Sequence, residues 1–250
     1  MTVVKHPAWG RIRRPREADD NGEPMLAPVC AVIPALDEEE TIAAVVMDVA
    51  PQVHEVVVVD NGSTDRTPAA AAAAGARVVR EPRRGYGAAC HAGAVAADSD
   101  AILLYLDGDG SDDPATLGAV LAPVASGRAQ LALGSRLRGR RGPCGLAPHQ
   151  ALANRAAAAM IRARWRVGVT DLGPVRAIRR RDLLALDMRS RTYGWPLEMI
   201  LKAARARLVI QEVAVAARPR GGGRSKVSGS LSAAARTAVR FGEAFLRYGL

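Results

Sequence analysis

The run Ala101-Ile-Leu-Leu-Tyr-Leu106, followed at once by Asp107-Gly-Asp109-Gly-Ser111-Asp-Asp113, decides the architecture. A short apolar run bounded by turn residues reads as a buried strand. Its abrupt end puts two carboxylates, Asp107 and Asp109, at the strand's C-terminal edge. In open α/β sheets that edge is where ligands bind. Two carboxylates two positions apart can share a hard divalent cation, Mg2+ or Mn2+, and leave coordination sites for substrate phosphates.

Upstream, strand and helix alternate. Val29–Ile33 is a short apolar strand broken by Pro34, and residues 38–50 read as a helix. Residues 55–59 are β-branched and read as a buried strand, followed by a helix over 65–74 that Gly75 stops. A third strand over 77–79 and a helix over 86–97 lead into the quoted strand. A helix over 114–125 and a fifth strand over 130–133 follow it. This succession predicts an α/β fold with a mostly parallel, Rossmann-like sheet flanked by helices. Beyond Ser135 the rhythm changes. Residues 136–148 form an Arg/Gly/Pro-rich loop, with helices expected over 149–164 and 195–207 and strands over 175–178 and 208–215. Residues 1–27 carry no sustained apolar periodicity and read as a disordered charged arm. Residues 28–230 read as one domain. Residues 231–250 read as an amphipathic helix, with Phe241, Phe245 and Tyr248 on one face and Arg236, Arg240 and Arg247 on the other.

The chain has 250 residues, enough for one large α/β domain. It is 49% hydrophobic and 24% charged, with a formal net charge of +10. That excess points to a solvated basic surface or an anionic partner, such as a nucleotide or a phospholipid surface. No zinc-finger or RNA-binding aromatic pattern argues for nucleic acid. The cysteines, Cys30, Cys90 and Cys144, have no CxxC spacing and suit free thiols in a reducing cytosol. The four histidines have no metal-ligand spacing. No stretch approaches the ~20 apolar residues that span a bilayer. The expected location is cytoplasmic, or peripheral on the inner face of the membrane. Oligomeric state is open.

Acidic clusters recur at strand ends. Asp37-Glu38-Glu39-Glu40 follows the first strand and also suits a helix N-terminus. Asp60, at the end of the second strand, is poorly explained by capping alone; it can accept a base N–H or a ribose hydroxyl. Asp60 together with Asp107 and Asp109 marks a nucleotide site.

These motifs resemble the family 2 glycosyltransferases, which bind nucleotide sugars in the GT-A fold, and within them the dolichyl- or polyprenyl-phosphate sugar synthases. The matching pieces are Ile33-Pro-Ala-Leu-Asp-Glu-Glu39, Val58-Val-Asp-Asn-Gly-Ser-Thr-Asp65, Arg84-Gly-Tyr-Gly87, Leu106-Asp-Gly-Asp109, Gly134-Ser-Arg136, Thr170-Asp-Leu-Gly-Pro-Val-Arg176 and Gly223-Arg-Ser-Lys226. The resemblance implies a metal-dependent, inverting transfer of a hexose from a UDP- or GDP-linked sugar. Polyprenyl phosphate at the membrane surface is the expected acceptor, and a soluble or glycan acceptor the alternative. It implies that Pro34, Ala35, Asp37 and Glu38 flank the nucleoside and that Asp60 holds the base. Asp107, Asp109 and Ser111 would serve the metal, with Gly85 near the donor. Arg136 and the Arg224-Ser225-Lys226 stretch would meet phosphates.

Two positions depart from the family pattern: Asp37 where Asn is usual, and Asn61 where a second acid is usual. Asp171 is a candidate general base, or else a turn-stabilising or acceptor-positioning residue, since a phosphate acceptor is already anionic. Glu198 could anchor loops or contact the acceptor. A sugar nucleotidyltransferase would share the strand-end acids but wants a Gly-rich phosphate loop where this chain has acids. A non-catalytic nucleotide-sugar-binding protein is the remaining class.

Overall fold

The computed structural model describes residues 27–138, 148–218 and 221. Strands β1 (Val29–Ala35), β2 (Glu55–Asp60), β3 (Arg77–Arg80), β4 (Ile102–Tyr105), β5 (Leu131–Ser135), β6 (Arg176–Arg179) and β7 (Ile210–Ala214) form one sheet in the order β3-β2-β1-β4-β6-β5-β7. Helices α1 (Ile42–Val49), α2 (Thr67–Ala73), α3 (Tyr86–Ala96), α4 (Leu117–Ala125), α5 (Pro148–Trp165), α6 (Arg180–Ala185) and α7 (Trp195–Arg205) flank it. The expected arm, the basic stretch with Arg224, Ser225 and Lys226, and the helix over 231–250 lie outside the described residues, as does Cys144.

Every strand read from the sequence is present. β1 pairs in parallel with both β2 and β4, so strand order reverses at β1. The crevice between the C-terminal ends of β1 and β4 is therefore the switch point, where ligands bind in such sheets. The parallel rule breaks once: β6 enters between β4 and β5, antiparallel to both. Its reversed direction brings its first residue, Arg176, to the rim where β4 and β5 end, opposite Tyr105 and Leu133.

Strand alternation divides the core into two layers. Val32, Val57, Val59, Leu103, Tyr105 and Ile178 face one side, against α3 and α7 with Trp195, Met199 and Ile200. Ile33, Val58, Ile102, Leu104 and Ala177 face the other, against Ile42, Val46, Leu117 and Val120. Each such fully buried large apolar side chain contributes roughly 1.5–3 kcal/mol.

Helix α1 starts at Ile42, later than the acids at 38–40 suggest, after a turn pinned to the loop that follows β2. The Glu38 N–H donates to Thr67 Oγ1 at 2.7 Å and the Glu39 N–H to Asp65 Oδ2 at 3.2 Å. Helix α2 starts after Asp65 for a matching reason: that carboxylate accepts from the Thr67 N–H at 2.9 Å and its hydroxyl at 2.5 Å.

Candidate active site

The loops after β1 and β2 are locked together by their own polar side chains. Asp37 adopts a left-handed backbone, φ 48°. Its N–H donates to Ser63 Oγ at 3.0 Å, and its Oδ1 accepts from the Thr64 N–H at 2.7 Å and the Thr64 hydroxyl at 3.1 Å. Glu39 Oε2 accepts from the Arg66 N–H at 2.9 Å. The unusual Asp37 is thus a clamp between two loops. Asp60 is opposite Ala35 in the β1–β2 ladder. Its Oδ1 accepts from the Ser63 N–H at 2.9 Å, and its Oδ2 is 3.7 Å from Arg80 Nε. Asn61, the other unusual residue, donates to the carbonyls of Glu81 and Arg83 at 3.0 and 2.9 Å and accepts from the Gly85 N–H at 2.7 Å. An acid there could not donate to two carbonyls.

The Asp107–Asp113 turn at the end of β4 is held from two sides. Thr41 Oγ1, at the start of α1, donates to the Gly108 carbonyl at 2.8 Å. On the other side the chain after β7 runs along the turn. The Arg218 N–H donates to the Ser111 carbonyl at 2.8 Å and the Gly221 N–H to the Asp109 carbonyl at 3.1 Å, and Arg218 pairs with Asp113 at 2.8 Å. Gly221 is the described residue nearest in sequence to Arg224. Within the turn, Asp109 Oδ1 accepts from the Ser111 N–H at 2.9 Å, and the buried Asp112 Oδ2 accepts from the Asp107 N–H at 2.9 Å. Burial pushes the Asp112 carboxyl up to about 6; the bond from Asp107 opposes the rise, and Asp109 adds to it.

Arg136, just past β5, makes a bidentate pair with Asp171: Nε to Oδ2 at 2.8 Å and Nη2 to Oδ1 at 3.0 Å. The Arg136 N–H also donates to Oδ2, at 3.0 Å. Burial works against the guanidinium's charge, but Asp171, backed by Asp112 and Asp107, raises its pKa above the ordinary arginine value. Asp171 is fully buried and is itself held by Glu212 of β7. Glu212 accepts from the N–H groups of Thr170 and Asp171 at 2.7 and 3.1 Å and from the Thr170 hydroxyl at 2.8 Å, and it pairs with Arg138 at 3.2 Å. The sequence reading missed Glu212. Its one signal is an acid inside a mostly apolar strand, which names no partner some forty residues away.

The third wall is aromatic. Tyr86 stacks on Tyr193, with centroids 5.9 Å apart, and meets Trp195 edge-on at 6.4 Å. Burial, reinforced by Asp107 and Glu38, raises the Tyr193 hydroxyl pKa. Gly85, φ 145°, makes the close approach here: a Cβ on it would lie 2.1 Å from the Arg191 carbonyl oxygen. Its role is packing of α3 against the 190–192 loop. Glu198 anchors the same loop, accepting from the Arg189 and Ser190 N–H groups at 2.8 and 2.6 Å and pairing with Lys202 at 2.8 Å.

The structure thus gathers Asp107, Asp109, Asp112, Arg136 and Asp171 into one charged neighbourhood, with Glu38 beside it and Asp60 one strand away across β1. Among the described residues no three His, Cys, Asp or Glu side chains form a metal-holding group. Hard carboxylate and hydroxyl oxygens from Asp107, Asp109 and Ser111 fit Mg2+ or Mn2+ where a diphosphate completes the coordination. No helix among the described residues is long and apolar enough to cross a membrane.

The family model described as Glycosyl transferase family 2 matches residues 30–186, more than half of the chain. An uncharacterized glycosyltransferase of Mycobacterium bovis is 41% identical over 206 residues, covering 81% of this chain and 91% of its own length. The low-salt glycan biosynthesis hexosyltransferase Agl6 of Haloferax volcanii is 33% identical over 207 residues, covering 79% of this chain and 49% of its own. Among solved structures, the glucosyl-3-phosphoglycerate synthase of Mycobacterium tuberculosis, in complex with Mn2+, UDP-glucose and phosphoglyceric acid, superposes with a TM-score of 0.71. It is 26% identical, with 90% of this chain and 80% of that one covered. The finer resemblance to polyprenyl-phosphate sugar synthases rests on the sequence motifs alone.

Proposed function

Because the chain belongs to glycosyl transferase family 2, we propose that it moves a hexose from a uridine diphosphate sugar to an anionic acceptor oxygen at the C-terminal rim of its sheet. One observation carries the reading. The Thr41–Gly108 hydrogen bond, 2.8 Å long, closes the loop after β1 against Asp107 and Asp109 at the switch point of the sheet.

Pro34, Ala35 and Glu38 flank the nucleoside, and Asp60 takes the base. Asp60 Oδ1 accepts from the Ser63 N–H and Oδ2 has the Arg80 cation beside it, and each oxygen keeps a lone pair for a base. Uracil offers one N–H between two carbonyls and suits one carboxylate oxygen flanked by a cation. Guanine offers two adjacent N–H donors, and it is the UDP-glucose complex of the mycobacterial synthase that supports uridine here. Asp60 is 1% exposed, and the Arg80 side chain beside it is 86% exposed.

Asp107, Asp109 and Ser111 would hold Mg2+ or Mn2+, as the Mn2+ complex of the mycobacterial synthase supports. When bound, the cation offsets charge on the departing nucleoside diphosphate. Arg136 shares that work from the β5 side, pre-oriented by its fork with Asp171. Asp171 is then a positioning residue and not a general base, since Arg136 engages both its oxygens. Arg224, Ser225 and Lys226 would meet the diphosphate, as the family resemblance implies.

A phosphate or carboxylate oxygen that is itself the nucleophile is anionic at neutral pH and needs no strong base. The mycobacterial synthase complexes with phosphoglyceric acid and glycerol 3-phosphate support a small anionic acceptor. Polyprenyl phosphate offers only a phosphate oxygen, on a lipid, whereas the two small acceptors also offer hydroxyls. The test is UDP release from UDP-glucose with Mn2+, using phosphoglyceric acid, glycerol 3-phosphate and vesicle-borne polyprenyl phosphate as separate arms. The product anomer, read by NMR coupling, checks the inversion implied by the family. Asp109→Ala should fall to background. Substantial turnover by that variant, pyrophosphate release in place of UDP, or UDP binding without turnover on any acceptor would each count against the reading.

A further inference from the structure

Arg176 is the residue that the reading above leaves unused. It is fully buried, 0% exposed, yet no carboxylate lies within ion-pair distance of it among the described residues. Its donors go to neutral acceptors: Nη2 to the Gly173 carbonyl, Nε to the Pro174 carbonyl at 3.3 Å, and Nη1 to the Pro196 carbonyl at 3.1 Å and Met199 Sδ at 3.9 Å. The guanidinium carbon lies 5.8 Å from the centroid of the Trp195 ring. Taking an unpaired cation out of water costs several kcal/mol, and carbonyl hydrogen bonds alone are a weak return.

Strand register supplies the missing partner. Arg176 opens β6 opposite Tyr105 on β4 and Leu133 on β5. Asp107 lies two residues past Tyr105, and Arg136 three past Leu133. The guanidinium is therefore set under the rim between the metal turn and the Arg136–Asp171 pair. Above it lie Asp107, Asp109, Asp112 and Asp171, the last of them engaged by the Arg136 fork. Burial lowers the Arg176 pKa, while Asp107 and Asp171 work to keep it charged.

We propose that Arg176 is a positioning residue that acts at a distance: a buried cation balancing the acidic cluster so that the rim accepts an anionic diphosphate as well as a divalent cation. The idea rests on the diphosphate-sugar reading. A cation beneath the carboxylates weakens metal binding and strengthens diphosphate binding, so removing its charge moves the two affinities in opposite directions. A merely structural arginine, once lost, would weaken both.

The test measures Mn2+ binding alone, and UDP binding at saturating Mn2+, by calorimetry on the full chain. Arg176→Gln keeps amide donors for the carbonyls and loses the charge; Arg176→Lys keeps the charge with fewer donors. The expected result is Mn2+ binding tighter and UDP binding weaker in Arg176→Gln, each by about tenfold, with Arg176→Lys within about threefold of the unaltered chain in both. Both affinities falling together in Arg176→Gln, or neither moving, overturns the proposal. If Arg176→Gln does not fold, Arg176→Lys decides: both constants retained supports the charge role, and a shared loss overturns it. Failure of the unaltered chain to bind Mn2+ and UDP at all would instead sink the diphosphate-sugar reading, a separate outcome visible before any variant is made.

Discussion

Asp171 separates two chemistries that a static carboxylate can serve. Both its oxygens are engaged by Arg136, which makes it an orienting group. Asp171→Asn should break that fork and leave Arg136 without its partner. We expect kcat to fall by about 10²-fold and stability by about 3 kcal/mol. The acid limb of the pH–rate profile should keep its position. Loss or displacement of that limb in the variant would restore Asp171 as the base. Asp112 makes a pH prediction of the opposite kind to an ordinary ion-paired acid. Its folded carboxyl titrates near 6, above the usual unfolded value of about 4. Between those values the folded protein holds a proton that the unfolded chain has lost. The contribution of Asp112 to stability is therefore greatest below pH 4 and is lost as pH rises to 6. In metal-free protein, the stability difference between the parent and Asp112→Asn should shrink by on the order of 2 kcal/mol over that interval. Denaturation curves whose difference is flat with pH would refute the assignment. Asp60, Asp107 and Asp109 stood out in the sequence because each sits where an apolar run stops, whereas Arg136 and Asp171 were singled out through the family motifs that contain them. Asp112 and Glu212 were not: their significance lies in which N–H groups they accept from, and pairing across the fold leaves no mark on local pattern.

At the level of elements, the parallel strands were readable from their apolar runs, and the helices from their flanking turn residues. What escaped was direction. Nothing in Val175–Ile178 distinguishes a parallel strand from an antiparallel one, because both-face burial gives the same apolar run either way. Helix α6 escaped because Arg180–Ala185 is too short for a periodic signal. The Gly85–Tyr86–Gly87 start of α3 looked equally suited to a donor contact or a tight turn, and the structure gives a packing reason for its glycines. Gly85→Ala should cost about 3 kcal/mol or more, since its Cβ would strike the Arg191 carbonyl oxygen at 2.1 Å in a backbone region other residues avoid. Gly127→Ala is the control. Its φ is also positive, 72°, but nothing lies within 4 Å of the added carbon. It should lose only about 1 kcal/mol. Urea unfolding of both variants checks this, and equal losses would mean that conformation, and not the close approach to the 190–192 loop, demands a glycine at position 85.

Charge is the property that belongs to the whole molecule. The chain carries a formal net charge of +10, yet its catalytic rim gathers Asp107, Asp109, Asp112, Asp171 and Glu38. A local acidic site inside a basic field solves a physical conflict. The cation needs near-neighbour oxygens at a few ångströms, whereas the sugar nucleotide, an anion, must first be drawn in from solution. Short-range coordination is little affected by salt, but attraction across the surface is screened beyond a Debye length of about 8 Å at physiological ionic strength. The two should therefore come apart in a salt titration. As NaCl rises from 20 mM to 500 mM at saturating Mn2+, kcat/KM for the UDP-sugar should fall by roughly tenfold while kcat changes by less than about twofold. A nonspecific loss of structure would lower both, and circular dichroism in the same buffers separates that case. Invariance of kcat/KM would mean that the basic surface faces away from the donor's approach.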